Sequence, residues 1–252
     1  MVKLTFKNAN ELKDLIGLVS CINDEVRFNF NENGFLIRVM DPGRVAMVSL
    51  EVNKATLEEF NLNGETNAEM TISLHSLEKL LKGMSKNPVS LKIESNKLHI
   101  EQEKPYNRKF NMPILEPAPD QPAPEPKIDY KNTIKMTVNG LRALIEDATL
   151  VSDHVKFIAT TDSLAVQIKG DILDYDGTLK HPSDELLNLE IGEPDATAIF
   201  QLRYLDDITK AASRVASIVT VQMAKDMPIK LTFETPPETK LWYALAPRIE
   251  PE

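Results

Sequence analysis

The sequence predicts an α+β fold built from two tandem, similar domains, each with antiparallel strands and two amphipathic helices. Three observations lead there. The two halves repeat each other, a proline-rich stretch falls near the midpoint of the 252 residues, and period-2 apolar runs are interleaved with helical stripes.

The first element is a strand, VKLTF at 2–6, apolar at alternate positions. A helix follows. Leu12, Leu15, Ile16 and Val19 are spaced i, i+3, i+4 and i+7, which makes one apolar stripe. VRFNF, FLIRV and VAMVSLEV then read as antiparallel strands with one buried face. ISLHSLEKLLKGMS, 72–85, supplies the second helix, with Leu74, Leu77 and Leu80 on its apolar side. Val89, Leu91 and Ile93 mark the next strand, and YNRKFNM, 106–112, is strand-like as well.

Residues 113–126, PILEPAPDQPAPEP, hold six of the sixteen prolines. Proline removes backbone donors and fixes φ, so this stretch should be extended and exposed. The expected division is a first domain at 1–115, a connector at 116–127 and a second domain at 128–252.

Past the connector the pattern restarts. At an offset of 129, the first stripe falls on Leu141, Leu144, Ile145 and Ala148, and Ile22, Asp24, Val26 and Phe28 fall on Val151, Asp153, Val155 and Phe157. At an offset of 128, the second helix falls on FQLRYLDDITKAAS, 200–213, and Val89, Leu91 and Ile93 fall on Ser217, Val219 and Val221. VKFIAT, LAVQI, VTVQM and IKLTF are the second half's alternating runs. Each helix has one apolar face, so the helices should lie on one side of the sheets.

Composition narrows the function. With 42% apolar and 27% charged residues, the chain is globular in type. No apolar run reaches 18 residues, so a helical membrane span is not expected. The start, MVKLTFKNANELKD, lacks the apolar stretch of a secretory signal, and Cys21 is the single cysteine. Both point to a reducing cytoplasm. There is no P-loop, no G-x-G and no G-x-S-x-G, and His75, His99, His154 and His181 are scattered. Asp171, Asp174 and Asp176 could bind a hard cation, but a solvated loop is the simpler reading. The expectation is a binding or scaffold protein with no cofactor, no metal and no catalytic residue.

The net charge is −9, yet residues 1–115 carry 15 basic and 15 acidic side chains, so the excess lies entirely in the second half. Any nucleic-acid contact must therefore depend on where the cations sit. Lys13 matches Arg142 across the repeat, Lys82 matches Lys210, and His75 matches Arg203. His75 and Lys82 are seven apart, so they share a face, with Lys79 one turn from Lys82. Such a face would contact phosphates rather than base edges. A solvated side of amphipathic helices would show the same pattern.

Four segments carry a resemblance: MDPGRVAMVSL at 40–50, LRYLDDITKAA at 202–212, KDMPIKLTFE at 225–234 and LAPRIE at 245–250. In order and spacing they resemble the DNA polymerase sliding clamp family, proliferating cell nuclear antigen, in an archaeal form. The resemblance implies the DNA clamp fold. Three copies would close head to tail as a homotrimeric ring, sheets outside and two helices per domain lining the hole, around duplex DNA bound without sequence preference. It places Lys13, Lys79, Lys82, Arg203 and Lys210 in the channel, and the internal repeat adds Arg142. It implies a processivity factor for DNA replication and repair, associated with the nucleoid. DNA polymerase, the clamp loader, flap endonuclease and DNA ligase would dock through a short peptide bearing a glutamine and paired aromatics. The matching peptide-facing positions are Met40, Arg44, Val45, Pro228, Ala246, Pro247 and Ile249. For the subunit interface, Arg108 and Lys109 are expected to face carboxylates of the next copy, drawn from Glu146, Asp147, Asp171, Asp174 and Asp176. Alternatives are one subunit of a heterotrimeric clamp, or a peptide-binding adaptor that does not act on DNA.

Overall fold

The computed structural model describes residues 2–84, 86–116, 124–170, 172–236 and 238–248. The chain forms two compact units. Unit 1 comprises Met1–Pro42, Val48–Pro124 and Pro236–Lys240; unit 2 comprises Gly43–Met47, Glu125–Thr235 and Leu241–Glu252.

Unit 1 runs β1 (Val2–Phe6), α1 (Ala9–Ser20), β2 (Glu25–Asn31), β3 (Gly34–Met40), β4 (Ala46–Asn53), β5 (Glu59–Asn61), β6 (Asn67–Ser73), α2 (Leu74–Lys82), β7 (Val89–Glu94), β8 (Lys97–Gln102) and β9 (Arg108–Pro113). Five strands lie in the order β5-β1-β7-β8-β9 and four in the order β4-β3-β2-β6. The β2–β3 turn requires its glycine. Gly34 has φ 142°, and a Cβ there would stand 2.0 Å from the Val52 carbonyl oxygen.

Unit 2 repeats this plan: β10 (Asn132–Thr137), α3 (Val138–Thr149), β11 (His154–Ala159), β12 (Ser163–Lys169), β13 (Asp174–Lys180), β14 (Leu186–Ile191), β15 (Ala196–Gln201), α4 (Leu202–Ala212), β16 (Ile218–Met223), β17 (Ile229–Phe233) and β18 (Thr239–Leu245). Five strands are ordered β14-β10-β16-β17-β18 and four β13-β12-β11-β15. Every strand pair given a register is antiparallel.

The helical stripes form as the spacing requires, with two substitutions. On α1, Leu12, Ile16 and Val19 are buried, but Leu15 is half-buried and Leu18 enters the core. On α2, Leu81 is buried where Leu80 was expected. All four residues of the α3 stripe, and Leu202, Leu205 and Ile208 of α4, are buried. Phe28, Phe30 and Phe35 cluster in unit 1; Phe157 and Phe200 meet edge to face in unit 2, their centroids 5.8 Å apart.

One sequence equivalence shifts. Val89 pairs with Phe6, whereas Val219, not Ser217, occupies the matching place opposite Met136. The physical reason is helix length. α2 has 9 residues and α4 has 11, so the strand after α4 arrives two residues late. Strand alternation has period 2, so a two-residue slip keeps the same face inward and leaves the apolar pattern intact. Half of the proline-rich segment, 117–123, lies outside the described residues; Pro124 to Lys127 are exposed.

Candidate functional site

The sites grow out of three kinds of local structure: helix faces, sheet edges and the chain's last strand. In unit 1, α1 and α2 pack side by side, and the Ser20 hydroxyl donates to Glu78 at 2.6 Å. Asn8 and Ser73 cap the helices by accepting from the N–H groups of Asn10 and Glu11, and of Ser76. With Leu74, Leu77 and Leu81 inward, His75, Lys79 and Lys82 project outward and are exposed. Lys13 is half-buried on α1.

In unit 2, α3 packs on α4. Arg203 and Lys210, seven apart on α4, are exposed on one stripe. Arg142 behaves differently. It pairs with Glu146 at 2.5 Å and donates to the Ser213 hydroxyl at 3.3 Å. It ties α3 to the end of α4, and its charge is met within the unit. Arg203 approaches Asp207 at 4.0 Å. Burial pushes the Asp207 carboxyl above its ordinary range, and the Arg203 charge opposes that rise.

Lys13, Lys79, Lys82 and Lys210 form no ion pair within 4.0 Å among the described residues. The helices also carry Glu11, Asp14, Glu78, Glu146, Asp147, Asp206 and Asp207. The surface is therefore a set of separate cationic stripes on mixed-charge helices, not a uniformly positive wall.

Six strands end a sheet among the described residues: β5, β6, β9, β13, β14 and β15; of these, β9 lies beside β8 and β13 beside β12. On β9, Lys109 pairs with Glu101 of β8 at 2.8 Å. Arg108 donates to the Gly83 carbonyl at 2.5 Å and lies 4.6 Å over the Tyr106 ring. On β13, the Asp174 carboxylate accepts from the Gly170 N–H, and Tyr175 donates to Asp147 at 3.3 Å. The charges expected to reach another copy thus have partners in their own units: Glu146 holds Arg142, Asp147 accepts from Tyr175 and Glu101 holds Lys109. Asp171 lies outside the described residues.

What the sequence reading missed is apolar. Ile172 is fully exposed, Leu150 is 78% exposed, Leu173 57% and Tyr106 64%. A Cβ at Gly170 would stand 2.6 Å from the Leu173 carbonyl and 3.2 Å from Val151, so the end of α3 and the β12–β13 turn are adjacent. Leu150, Ile172 and Leu173 accordingly lie around one end of the open β13 edge.

The peptide-facing positions divide. Val45, Pro228, Ala246 and Pro247 belong to unit 2. Ala246 N–H donates to the Val45 carbonyl at 2.8 Å, and the Ile229–Leu245 register sets Pro228 beside Ala246 at the end of the β17–β18 pair. All four are half-buried, Arg44 is exposed at φ 55°, and the neighbouring Met227 is 49% exposed. Met40 ends β3 in unit 1, its carbonyl accepting from Asn23 at 2.7 Å. Ile249 lies outside the described residues.

Among the described residues, no group of three or more His, Cys, Asp or Glu side chains could hold a metal ion, and Asp174 and Asp176 fall on β13 rather than in a loop. No helix among them is long and apolar enough to cross a membrane.

Residues 1–109 match the family description "Proliferating cell nuclear antigen, N-terminal domain", and residues 125–248 match the corresponding C-terminal domain. The DNA polymerase sliding clamp of Thermofilum pendens is 31% identical over 251 residues, covering 99% of this chain and 100% of the relative. DNA polymerase sliding clamp 1 of Pyrobaculum aerophilum is 31% identical over 248 residues, covering 98% of each. Among solved structures, the proliferating cell nuclear antigen of Thermococcus kodakaraensis superposes with a TM-score of 0.88 at 24% identity. That match covers 98% of this chain and 100% of the other, and at this identity it speaks to the fold.

Proposed function

The chain belongs to the proliferating cell nuclear antigen family, the non-enzymatic DNA polymerase sliding clamps, and from that membership we propose that three copies close head to tail around duplex DNA. One observation carries the ring: among the edge strands, β9 in unit 1 and β13 in unit 2 are unlike each other and both have exposed apolar side chains nearby. Open edges invite pairing with another chain. Two unlike edges make a heterologous contact, which closes when the rotation between copies returns to its start. Tyr106 beside β9, and Leu150, Ile172 and Leu173 beside β13, supply apolar area that remains exposed in one copy.

Within the ring, Lys13, Lys79, Lys82, Arg203 and Lys210 would face phosphates, with Arg142 secondary because Glu146 already holds it. Backbone phosphate contacts carry no sequence information and permit sliding. Retention on DNA then comes from enclosure, not from the strength of any contact. Val45, Pro228, Ala246 and Pro247, with Met40, Arg44 and Ile249, would receive the short peptide of DNA polymerase, clamp loader, flap endonuclease or DNA ligase. The C-terminal region of FEN-1 bound to A. fulgidus PCNA has been solved as a complex, and that relative's partner supports this class.

The test is topological. Protein placed on closed circular DNA by its loader should stay through a high-salt wash and leave once the circle is cut. Equal loss from circular and linear DNA at high salt would refute enclosure.

A further inference from the structure

We infer that a cleft on the four-stranded sheet of unit 2 selects acidic residues flanking the partner peptide's apolar motif. The inference rests on the proposed peptide site and adds a specificity determinant to it. The cleft, of about 750 Å³, lies where His154, Lys156, Lys169 and Arg248 meet Asp174 and Asp176.

Strand alternation builds it. Val155, Phe157 and Val166 point into the core, so Lys156 of β11 and Gln167 of β12 point the other way and stand opposite each other. Lys156 also stands opposite Ile199 of β15. The backbone N–H of Arg248 donates to the Ile199 carbonyl at 2.7 Å, which seats the chain's last described residue beside that row. Arg248 Nη1 lies 2.5 Å from His154 Nε2. The carboxylates occupy the far rim on β13, Asp174 opposite Lys169 and Asp176 opposite Gln167. The cleft therefore carries Arg248, His154 and Lys156 on the side of the C-terminal segment, Asp174 and Asp176 on the edge strand, and Lys169 of β12 directly opposite Asp174. Lys156 and Lys169 form no ion pair within 4.0 Å among the described residues.

The cleft lies close along the chain to the proposed peptide surface. Ala246 is fixed to Val45, and Arg248 is two residues further on, a span of at most about 7 Å. A peptide whose apolar anchors rest on Val45, Pro228 and Ala246 would direct one flank toward Arg248 and Lys156. Lys156, Lys169 and Arg248 against Asp174 and Asp176 leave one formal positive charge in the cleft, within the half of the chain that carries the whole negative excess, so a preference for an acidic flank has to come from close approach to Lys156 and Arg248.

The experiment uses the full chain and dye-labelled peptides read by anisotropy at low salt. One peptide carries the glutamine and paired aromatics alone. Others add three Glu, or three Lys, at either end. The Glu extension at one end should tighten binding about fivefold. That gain should vanish in the Lys156→Glu/Lys169→Glu variant and at about 0.5 M salt. The inference is overturned if neither Glu extension helps, if the gain survives in the variant, or if the Lys extension binds tighter. It is also overturned, in favour of nucleic acid, if a labelled oligonucleotide is held by the same two lysines while the Glu extensions do nothing. Failure of every peptide to bind removes the parent reading, and is distinguished by loss of the unextended peptide.

Discussion

The ammonium of Lys109 on β9 stands 2.8 Å from the Glu101 carboxylate on β8, and Lys92 on β7 approaches the same carboxylate at 2.6 Å. One carboxylate thus ties three adjacent strands. The Lys109 hydrogen bond, then that from Lys92, holds the Glu101 carboxyl at about 2, below its ordinary 4.5. A depressed carboxyl stabilises the fold above its unfolded pKa and loses that contribution as pH falls through the folded one. Glu101→Gln should therefore cost stability at neutral pH, by less than about 1 kcal/mol for so exposed a pair. The gap between variant and parent should narrow below pH 4.5 and close near pH 2. Denaturant unfolding at a series of pH values measures it; a gap independent of pH would assign the loss to packing.

With Lys109 held inside its own unit, the apolar residues carry the larger part of the proposed contact between copies. Ile172→Glu with Leu173→Glu should leave a folded monomer, because both side chains are exposed and contribute little to the core. Light scattering at micromolar concentration reads the mass, and far-ultraviolet circular dichroism the fold. Arg108→Glu with Lys109→Glu should also weaken the trimer, though Lys109→Glu additionally sets two carboxylates together beside Glu101. A trimer that survives the apolar double variant would remove this edge from the interface.

The repeat was readable because burial imposes period. Leu141, Leu144, Ile145 and Ala148 have to lie on one face to reach the core, and all four are buried. β13 was harder. Its sequence, DYDGTLK, buries Gly177 alone, so it lacks the apolar alternation that marks a strand with one face on a core. The exposed Ile172 and Leu173 are apolar residues like any other until the fold leaves them in solvent. The pairing of Arg142 with Ser213 joins residues 71 apart, a contact no local pattern encodes. The two-residue slip after α4 was invisible because it preserves strand phase.

The cationic stripes make a graded prediction. Lys82→Glu and Lys210→Glu each remove a cation that has no ion pair within 4.0 Å among the described residues. Each lost phosphate contact should lower the slope of log K against log salt by about 1, with little dependence on sequence. Asp207→Asn should act in the opposite sense, since it frees Arg203 from a carboxylate 4.0 Å away. The measurement is salt-dependent binding to a short duplex. Equal slopes for parent, Lys210→Glu and Asp207→Asn would place the α4 stripe away from DNA.

The repeat also exposes an unused cap. At the start of α2, Ser73 accepts from the Ser76 N–H, and the Leu74 N–H donates to the Asp24 carbonyl. At the start of α4 the second bond recurs, Leu202 N–H to the Asp153 carbonyl, but Gln201 makes no side-chain cap. A glutamine side chain is too long to fold back onto the N–H groups of its own first turn as serine does. Gln201 is half-buried and extended, at φ −77° and ψ 121°, close to Ser73 at −80° and 117°. Gln201→Ser should therefore adopt the existing geometry and satisfy one of the helix's open donors. The expected gain is about 0.5 to 1 kcal/mol, read as a rise in the denaturation midpoint with an unchanged slope. Gln201→Ala supplies the control: it shortens the side chain equally without an acceptor and should give no gain. If alanine stabilises as much as serine, relief of the glutamine rather than capping explains the change, and the two repeats do not share a capping requirement at this helix.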